Sequence, residues 1–263
     1  MNWRLRNQNV KIQLCQMGFV EQNPSRKSTE RNLQLNLSRS EKPENAVNQE
    51  QSEQNEESKQ LSLELVVARY NEDIAWTEAV AWPKIIYNKG EETENHLPNI
   101  GREHHTYLHH ILTHYDTLAD RTAFCQGHPF DHCPDILERL AVERGDWVFL
   151  APWLLTCNKN GIPNTMGNNI PGYWKRIFPD RPCSDYFVWG WGAHFIVSRE
   201  RIQARPPAFY ENLLQLTLED ARAGVAMEMM WPQILGFDPT TLQTGSGPLR
   251  HRISNPISAQ KPE

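Results

Sequence analysis

The chain has 263 residues, with 32 Asp and Glu against 27 Lys and Arg and a net charge of −5. It carries no block of Lys and Arg, the basic footprint that nucleic-acid binding leaves, so no nucleic-acid partner is expected. Five cysteines (Cys15, Cys125, Cys133, Cys157 and Cys183) include no Cys-x-x-Cys pair, which suits reduced thiols in a cytoplasmic compartment better than a disulfide framework.

The first sixty residues read as a disordered leader. From Glu21 to Gln60 the chain is rich in Gln, Asn, Ser, Glu and Lys, too polar to offset the entropy of ordering. The apolar run Ile12 to Val20 is broken by Gln13, Cys15, Gln16 and Gly18, so it forms neither a signal segment nor a membrane span. Met17 offers an alternative start. Residues 61–239 are expected to make a single α/β domain, and the Gly- and Pro-rich stretch 240–263 a flexible tail.

Leu63 to Ala68 has the short, β-branched character of a buried strand. Asn71 is placed to cap a following helix, with Glu72 and Asp73 in its first turn and Val80 near its end. Lys84 to Asn88 reads as a second strand before a turn at Asn88-Lys89-Gly90. Strand, helix and strand with tight loops predict a βαβ unit, and so a mostly parallel central sheet flanked by helices. Asn99 is expected to cap a helix from Ile100 to Tyr115 with Tyr107, Leu108 and Ile111 inward. A third strand spans Thr122 to Gln126, a helix restarts at Pro134, and Trp147 to Leu150 forms another strand. Residues 151–185 read as a long loop, functional or flexible by its length. Tyr186 to Trp189 and His194 to Ser198 return as strands, followed by helices near 198–204, 209–216 and 219–231.

Chemistry gathers at Phe124 to His132. His128, Asp131 and His132 lie within one turn at the end of a strand and could hold a divalent ion, with manganese or magnesium as the expected metal. The plainer alternative is a helix cap with His128 bonded to backbone. Five histidines follow Gly101. At 100° per residue, His104 falls on the buried face, His110 and His114 on one flank near Glu103, and His105 and His109 on the other. No Glu stands beside a His in the zincin pattern, so packing is the favoured role. Gly101-Arg102-Glu103 could present backbone N–H groups and a guanidinium to a phosphate, or simply start a helix. Near the C-terminus, Glu228 shares a helix face with Trp231 and is the candidate general base, with Asp220 beside it in sequence. Trp189-Gly190-Trp191-Gly192 would suit stacking on sugar rings, or cover the sheet.

Four segments, Val66 to Asp73, Ile86 to Gly90, Asn99 to Glu103 and Gln126 to His132, resemble a family of domains of unknown function with VARYNED and QGHPFDH segments. Gly192 to Arg199 and Arg205 to Tyr210 fit the second half of that pattern, and the likeness runs from about Leu61 to Phe237. The layout resembles a GT-A glycosyltransferase. That resemblance implies transfer of a sugar from a nucleotide-sugar donor to a glycan or other hydroxyl acceptor. It implies donor or substrate contacts from Arg69, Asn71, Glu72, Asp73, Arg102, Gln126, Trp191 and His194, with Glu72 or Asp73 toward the nucleobase or ribose. The chain departs from the GT-A pattern in having no Asp-x-Asp, so Gln126, His128, Asp131 and His132 would have to substitute for it. The alternatives are a non-catalytic glycan- or nucleotide-binding module, and a metal-dependent hydrolase built on His128, Asp131 and His132.

Overall fold

The computed structural model describes residues 60–160, 169–220 and 222–237, with the backbone of 252–253. The expected leader lies outside the described residues except for Gln60, and so does the expected tail except for Arg252 and Ile253.

Strand β1 (Leu63–Arg69) is an interior strand of the main sheet, and Leu65, Val66 and Val67 are fully buried. Three consecutive buried residues mean that both faces of the strand are covered. It pairs in parallel with β2 (Lys84–Asn88) and β3 (Arg121–Gln126), so that Val67 lies beside Ile86 and Cys125. The other members are β4 (Trp147–Phe149) and β7 (Phe195–Ser198), giving the order β2-β1-β3-β7-β4. Because β7 runs antiparallel to both β3 and β4, the sheet is mixed and not mostly parallel. The hydrophobic runs of these strands mark burial but carry no direction, which is why the reversal of β7 is invisible in them.

The two faces of the sheet bury separate cores. Val66, Phe124, Phe195 and Val197 pack against Tyr107, Leu108 and Ile111 of helix α1 (Arg102–Thr113) and against Trp231. Leu65, Val67, Ala123, Cys125 and Ile196 face Trp82 and the helix α2 (Ile136–Val142), through Ile136 and Leu140.

The expected loop 151–185 contains regular structure. Strand β5 (Trp153–Asn158) and helix α3 (Ile170–Ile177) lie within it. β5 pairs antiparallel with β6 (Tyr186–Gly190) and parallel with β8 (Arg252–Ile253), making a second, three-stranded sheet. Part of the expected tail is therefore a strand. Helices α4 (Arg199–Gln203), α5 (Pro207–Glu219) and α6 (Ala223–Ile234) complete the fold. No helix among the described residues is long and apolar enough to cross a membrane.

The helix expected after Asn71 is only a 3-10 turn, Ala75–Ala79. Asn71 does not cap it: its φ is 61°, and Asp73 Oδ1 instead accepts from the Ala75 N–H at 2.9 Å. Asn99 is likewise not the cap of α1, which starts at Gly101 in the left-handed conformation.

Candidate functional site

The strands β1 and β3 end together at one edge of the sheet, and their loops fold back on one another. The Asn71 and Asn88 side chains make a reciprocal pair. Asn88 Nδ2 donates to Asn71 Oδ1 at 3.0 Å, and the Asn71 N–H donates to Asn88 Oδ1 at 3.1 Å. Arg69 Nε donates to the Glu72 carbonyl at 2.7 Å, and the Tyr70 N–H donates to the Glu72 carboxylate. Gly127 lies so close that a Cβ there would stand 2.6 Å from Glu72 Oε2. Trp76 Nε1 donates to the Gly127 carbonyl at 2.9 Å and closes the loop pair. Arg69, Asn71 and Glu72 are thus engaged in shaping this edge, Asp73 in its own turn, while the Tyr70 ring is exposed.

A second wall comes from the 3-10 turn Trp191–Ala193, where Gly192 has φ 81° and Ala193 φ 53°. The Gly192 N–H donates to Glu228 Oε1 at 2.8 Å, so this turn and α6 are joined at the candidate base. The Trp191 ring stacks on His132, with centroids 4.7 Å apart. Behind it His194 is fully buried, its Nδ1 accepting from the Gln126 N–H at 3.4 Å. Burial and the neighbouring His132 push the His194 imidazole down to about 3, so it stays neutral with its hydrogen on Nε2. A cavity with room for about one water lies alongside, with His194 and Glu228 as its polar lining and Trp147, Phe149 and Trp231 among its apolar walls.

The third wall is the first turn of α1. Glu103 is buried, with Oε1 3.2 Å from His104 Nε2 and Oε2 3.8 Å from Arg102 Nε. Trp231 Nε1 donates to His104 Nδ1 at 2.9 Å, which leaves Nε2 to carry the imidazole hydrogen toward Glu103. Burial pushes the Glu103 carboxyl upward, but His104 and Arg102 outweigh it and hold the group well below the usual carboxylate range. Glu228 moves the other way: burial raises its pKa, and the nearby Glu103 charge raises it further. Lys89 underpins this wall, donating through Nζ to the carbonyls of Ile100 and Arg102, and burial lowers its pKa to about 8.

The expected metal ligands do not converge. His128 Nε2 and Asp131 Oδ1 are 3.8 Å apart with both side chains about half exposed, while His132 turns away onto Trp191. Among the described residues no group of three or more His, Cys, Asp and Glu is arranged to hold a metal ion. These three side chains therefore do not fit a divalent ion. His104 is buried and hydrogen-bonded as its helical position predicts, but His110 pairs with Glu64 at 3.1 Å and not with Glu103. Asp220 is separate from Glu228 in its bonding: it accepts from Tyr173 Oη at 2.7 Å and pairs with Arg222 at 3.0 Å. Those hydrogen bonds, from Arg222 first and Tyr173 second, hold its carboxyl well below the usual range.

The structure thus brings Arg102, Trp191, His194 and Glu228 into one neighbourhood, and adds Glu103, His104, Gly192 and Trp231. Sequence reasoning missed the pairing of Glu103 with His104 because adjacent helix residues project about 100° apart. The one usable signal was the Glu228/Trp231 spacing, which places Trp231 where it can reach α1.

No curated protein and no solved structure matches the chain. A family model described as "Protein of unknown function (DUF3431)" matches residues 65–144 and 144–245. These two matches cover more than half of the sequence, and the chain belongs to that family.

Proposed function

We propose that the protein transfers a sugar from a nucleotide-sugar donor to a hydroxyl acceptor, with Glu228 as the general base. The observation that carries this reading is Glu228 itself: a buried carboxyl on a partly exposed residue, anchored by the Gly192 N–H, with its proton affinity raised by that burial. A general base works best when its pKa is tuned toward the working pH, and burial beside a second carboxylate does this for a Glu. The partly exposed Trp191 ring, backed by His132, offers a flat apolar surface for a sugar ring next to that base. Arg102, with an exposed side chain at the start of α1, is the cation available to a diphosphate. The GT-A-like arrangement of the sheet edge remains part of this proposal, and fold likeness alone would not carry the activity.

The test is release of nucleoside diphosphate from uridine- and guanosine-linked sugars in the presence of simple hydroxyl acceptors, with and without manganese. Wild-type protein should release it and Glu228→Gln should not. Tight nucleotide-independent binding of free glycans, with no release from any donor, would favour the binding-module reading instead. The Trp191–His132 stack is the observation in favour of that alternative, since it needs no base.

A further inference from the structure

We propose that the cavity beside Gly192 is a binding site for one ordered water, which accepts from His194 Nε2–H and Trp147 Nε1–H and donates to Glu228, making His194 a positioning residue for that carboxyl. The site stands on its own geometry, and only its part in a reaction rests on the reading of Glu228 as the base.

His194 is fully buried just before β7, and its Nδ1 accepts from the Gln126 N–H at 3.4 Å, so the imidazole hydrogen is on Nε2. That Nε2–H is shielded from solvent and has no protein partner. A buried donor without an acceptor is costly, and native proteins ordinarily answer it with a hydrogen bond to protein or to ordered water. The neighbouring imidazole does not take the hydrogen. His132 and His194 have ring centroids 6.4 Å apart, and His132 Nδ1 is itself without a protein partner.

Trp147 poses the same question. It opens β4, its ring stacks on Phe195 with centroids 4.9 Å apart, and its Nε1–H is also buried with no protein partner. Both residues line one cavity together with Glu228, and Phe149, Trp189 and Trp231 are among its other walls. The space suits about one water. A cavity lined only by apolar groups stays dry, whereas a buried water needs about three polar partners. Here the lining supplies two N–H donors and a carboxyl acceptor, which is the set that one water satisfies.

A second route ties Glu228 to His194. Its Oε1 accepts from the Gly192 N–H at 2.8 Å, and Gly192 packs directly on the imidazole: a Cβ there would stand 2.7 Å from His194 Nε2. The Gly192 bond uses one of about four acceptor positions on a carboxylate, leaving others for the water. A water that accepts from two N–H groups keeps both of its hydrogens to donate, and one goes to Glu228. A hydrogen bond to the ionised form favours that form, so the water offsets part of the effect of burial on Glu228. His194 acts through the water and touches no substrate.

The experiment is detection of the water in the full chain by NMR. In 15N-labelled protein, His194 Hε2 and Trp147 Hε1 should each show a nuclear Overhauser effect to water with the sign of a long-lived bound molecule. A His194 Nε2–H that shows none, or that exchanges with solvent too fast to be observed, overturns the proposal. The positioning role is read from the Glu228 carboxyl, 13C-labelled and assigned through Glu228→Gln. His194→Phe fills the ring volume but donates nothing, and should raise the Glu228 midpoint by about one pH unit. His194→Gln restores a donor in place of Nε2 and should bring the midpoint most of the way back. A role in packing alone predicts the reverse order, with Phe closer to wild type, and that result overturns the positioning role. Trp147→Phe should weaken the water signal at His194 and move the midpoint in the same direction by less. Should both His194 variants fail to fold, an unmoved midpoint in Trp147→Phe overturns the role equally. If the water is found and the midpoints move while no nucleotide-sugar is turned over, the transferase reading falls and the water site stands.

Discussion

Gly192 and Glu228 are locked to each other: the Gly192 N–H donates to Glu228 Oε1 at 2.8 Å from a backbone at φ 81°. That φ lies in the left-handed region, where a side chain is disfavoured, and the space is taken as well. A Cβ at this position would stand 2.7 Å from both His132 Cδ2 and His194 Nε2. Both the backbone angle and the lack of space therefore favour glycine in the turn that holds the Glu228 carboxyl.

Gly192→Ala should therefore destabilise the protein by about 2–4 kcal/mol, combining left-handed strain with overpacking against two imidazoles. Urea denaturation measures the loss. The variant should also lose the 13C shift signature of the Gly192–Glu228 bond, and a wild-type stability would contradict the described turn.

Asn88 is the second point where one side chain fixes a loop. It is buried, accepts from the Asn71 and Gly90 N–H groups, and donates to Asn71 Oδ1 and the Glu91 carbonyl. Asn88→Ala removes these bonds, although Asn71 Oδ1 keeps the Glu91 N–H, and should cost about 1–2 kcal/mol. Because the lost bonds hold the loop after β1, amide hydrogen exchange should rise at Tyr70 to Asp73 before it rises in β1 itself. Uniform protection across both segments would count against the clamp.

These two examples show what the sequence could and could not convey. The strands β1, β2 and β3 were legible because Leu65 to Val67, Ile85 to Tyr87 and Ala123 to Cys125 are short apolar runs between polar residues. The inner face of α1 was legible from the spacing of Tyr107, Leu108 and Ile111. Asn71 misled, because Asn is favoured both at helix caps and in the left-handed conformation, and only its pairing with Asn88 decides between them. The loop 151–185 hid a strand because β5 depends on partners distant in sequence, such as Trp189 opposite Leu155. At the site, Trp191 and Glu228 are legible by residue type, and His194 through the family resemblance. The close spacing of His128, Asp131 and His132 suggested a cluster that the 3-10 turn Pro129–Asp131 disperses.

Trp191 should separate binding from stability. Its ring is partly exposed and stacks on His132, so Trp191→Ala should cost less folding free energy than the loss of a fully buried Trp, about 2 kcal/mol. Glycan or acceptor affinity should nonetheless fall about tenfold, as when a ring loses its stacking partner. Calorimetric titration with a simple saccharide checks this. Unchanged affinity alongside a large loss of stability would assign the ring to packing alone.

The buried histidines predict a defined acid sensitivity. Burial, with His132 as the second cause, lowers His194 to about 3, and burial together with Lys89 and His109 lowers His105 to about 4. Both start from about 6.5 in the unfolded chain. A group depressed on folding contributes stability that is complete above its unfolded pKa and is lost as pH falls toward its folded value. The window for these two is pH 6.5 down to about 4 and 3, and His194 alone should account for roughly 2 kcal/mol of loss between pH 7 and pH 5. Glu103, also depressed, acts only below about 4.3, beneath most of that window. Glu228 has the opposite sign: its contribution is present below about 4.3 and is lost as pH rises through its raised folded pKa, which softens the slope. His194→Asn keeps an acceptor for the Gln126 N–H but cannot titrate, so it should lower stability at pH 7 and flatten the decline toward pH 5. Urea denaturation at the two pH values decides the point, and an unchanged slope in the variant would mean that His194 is not the buried neutral imidazole described.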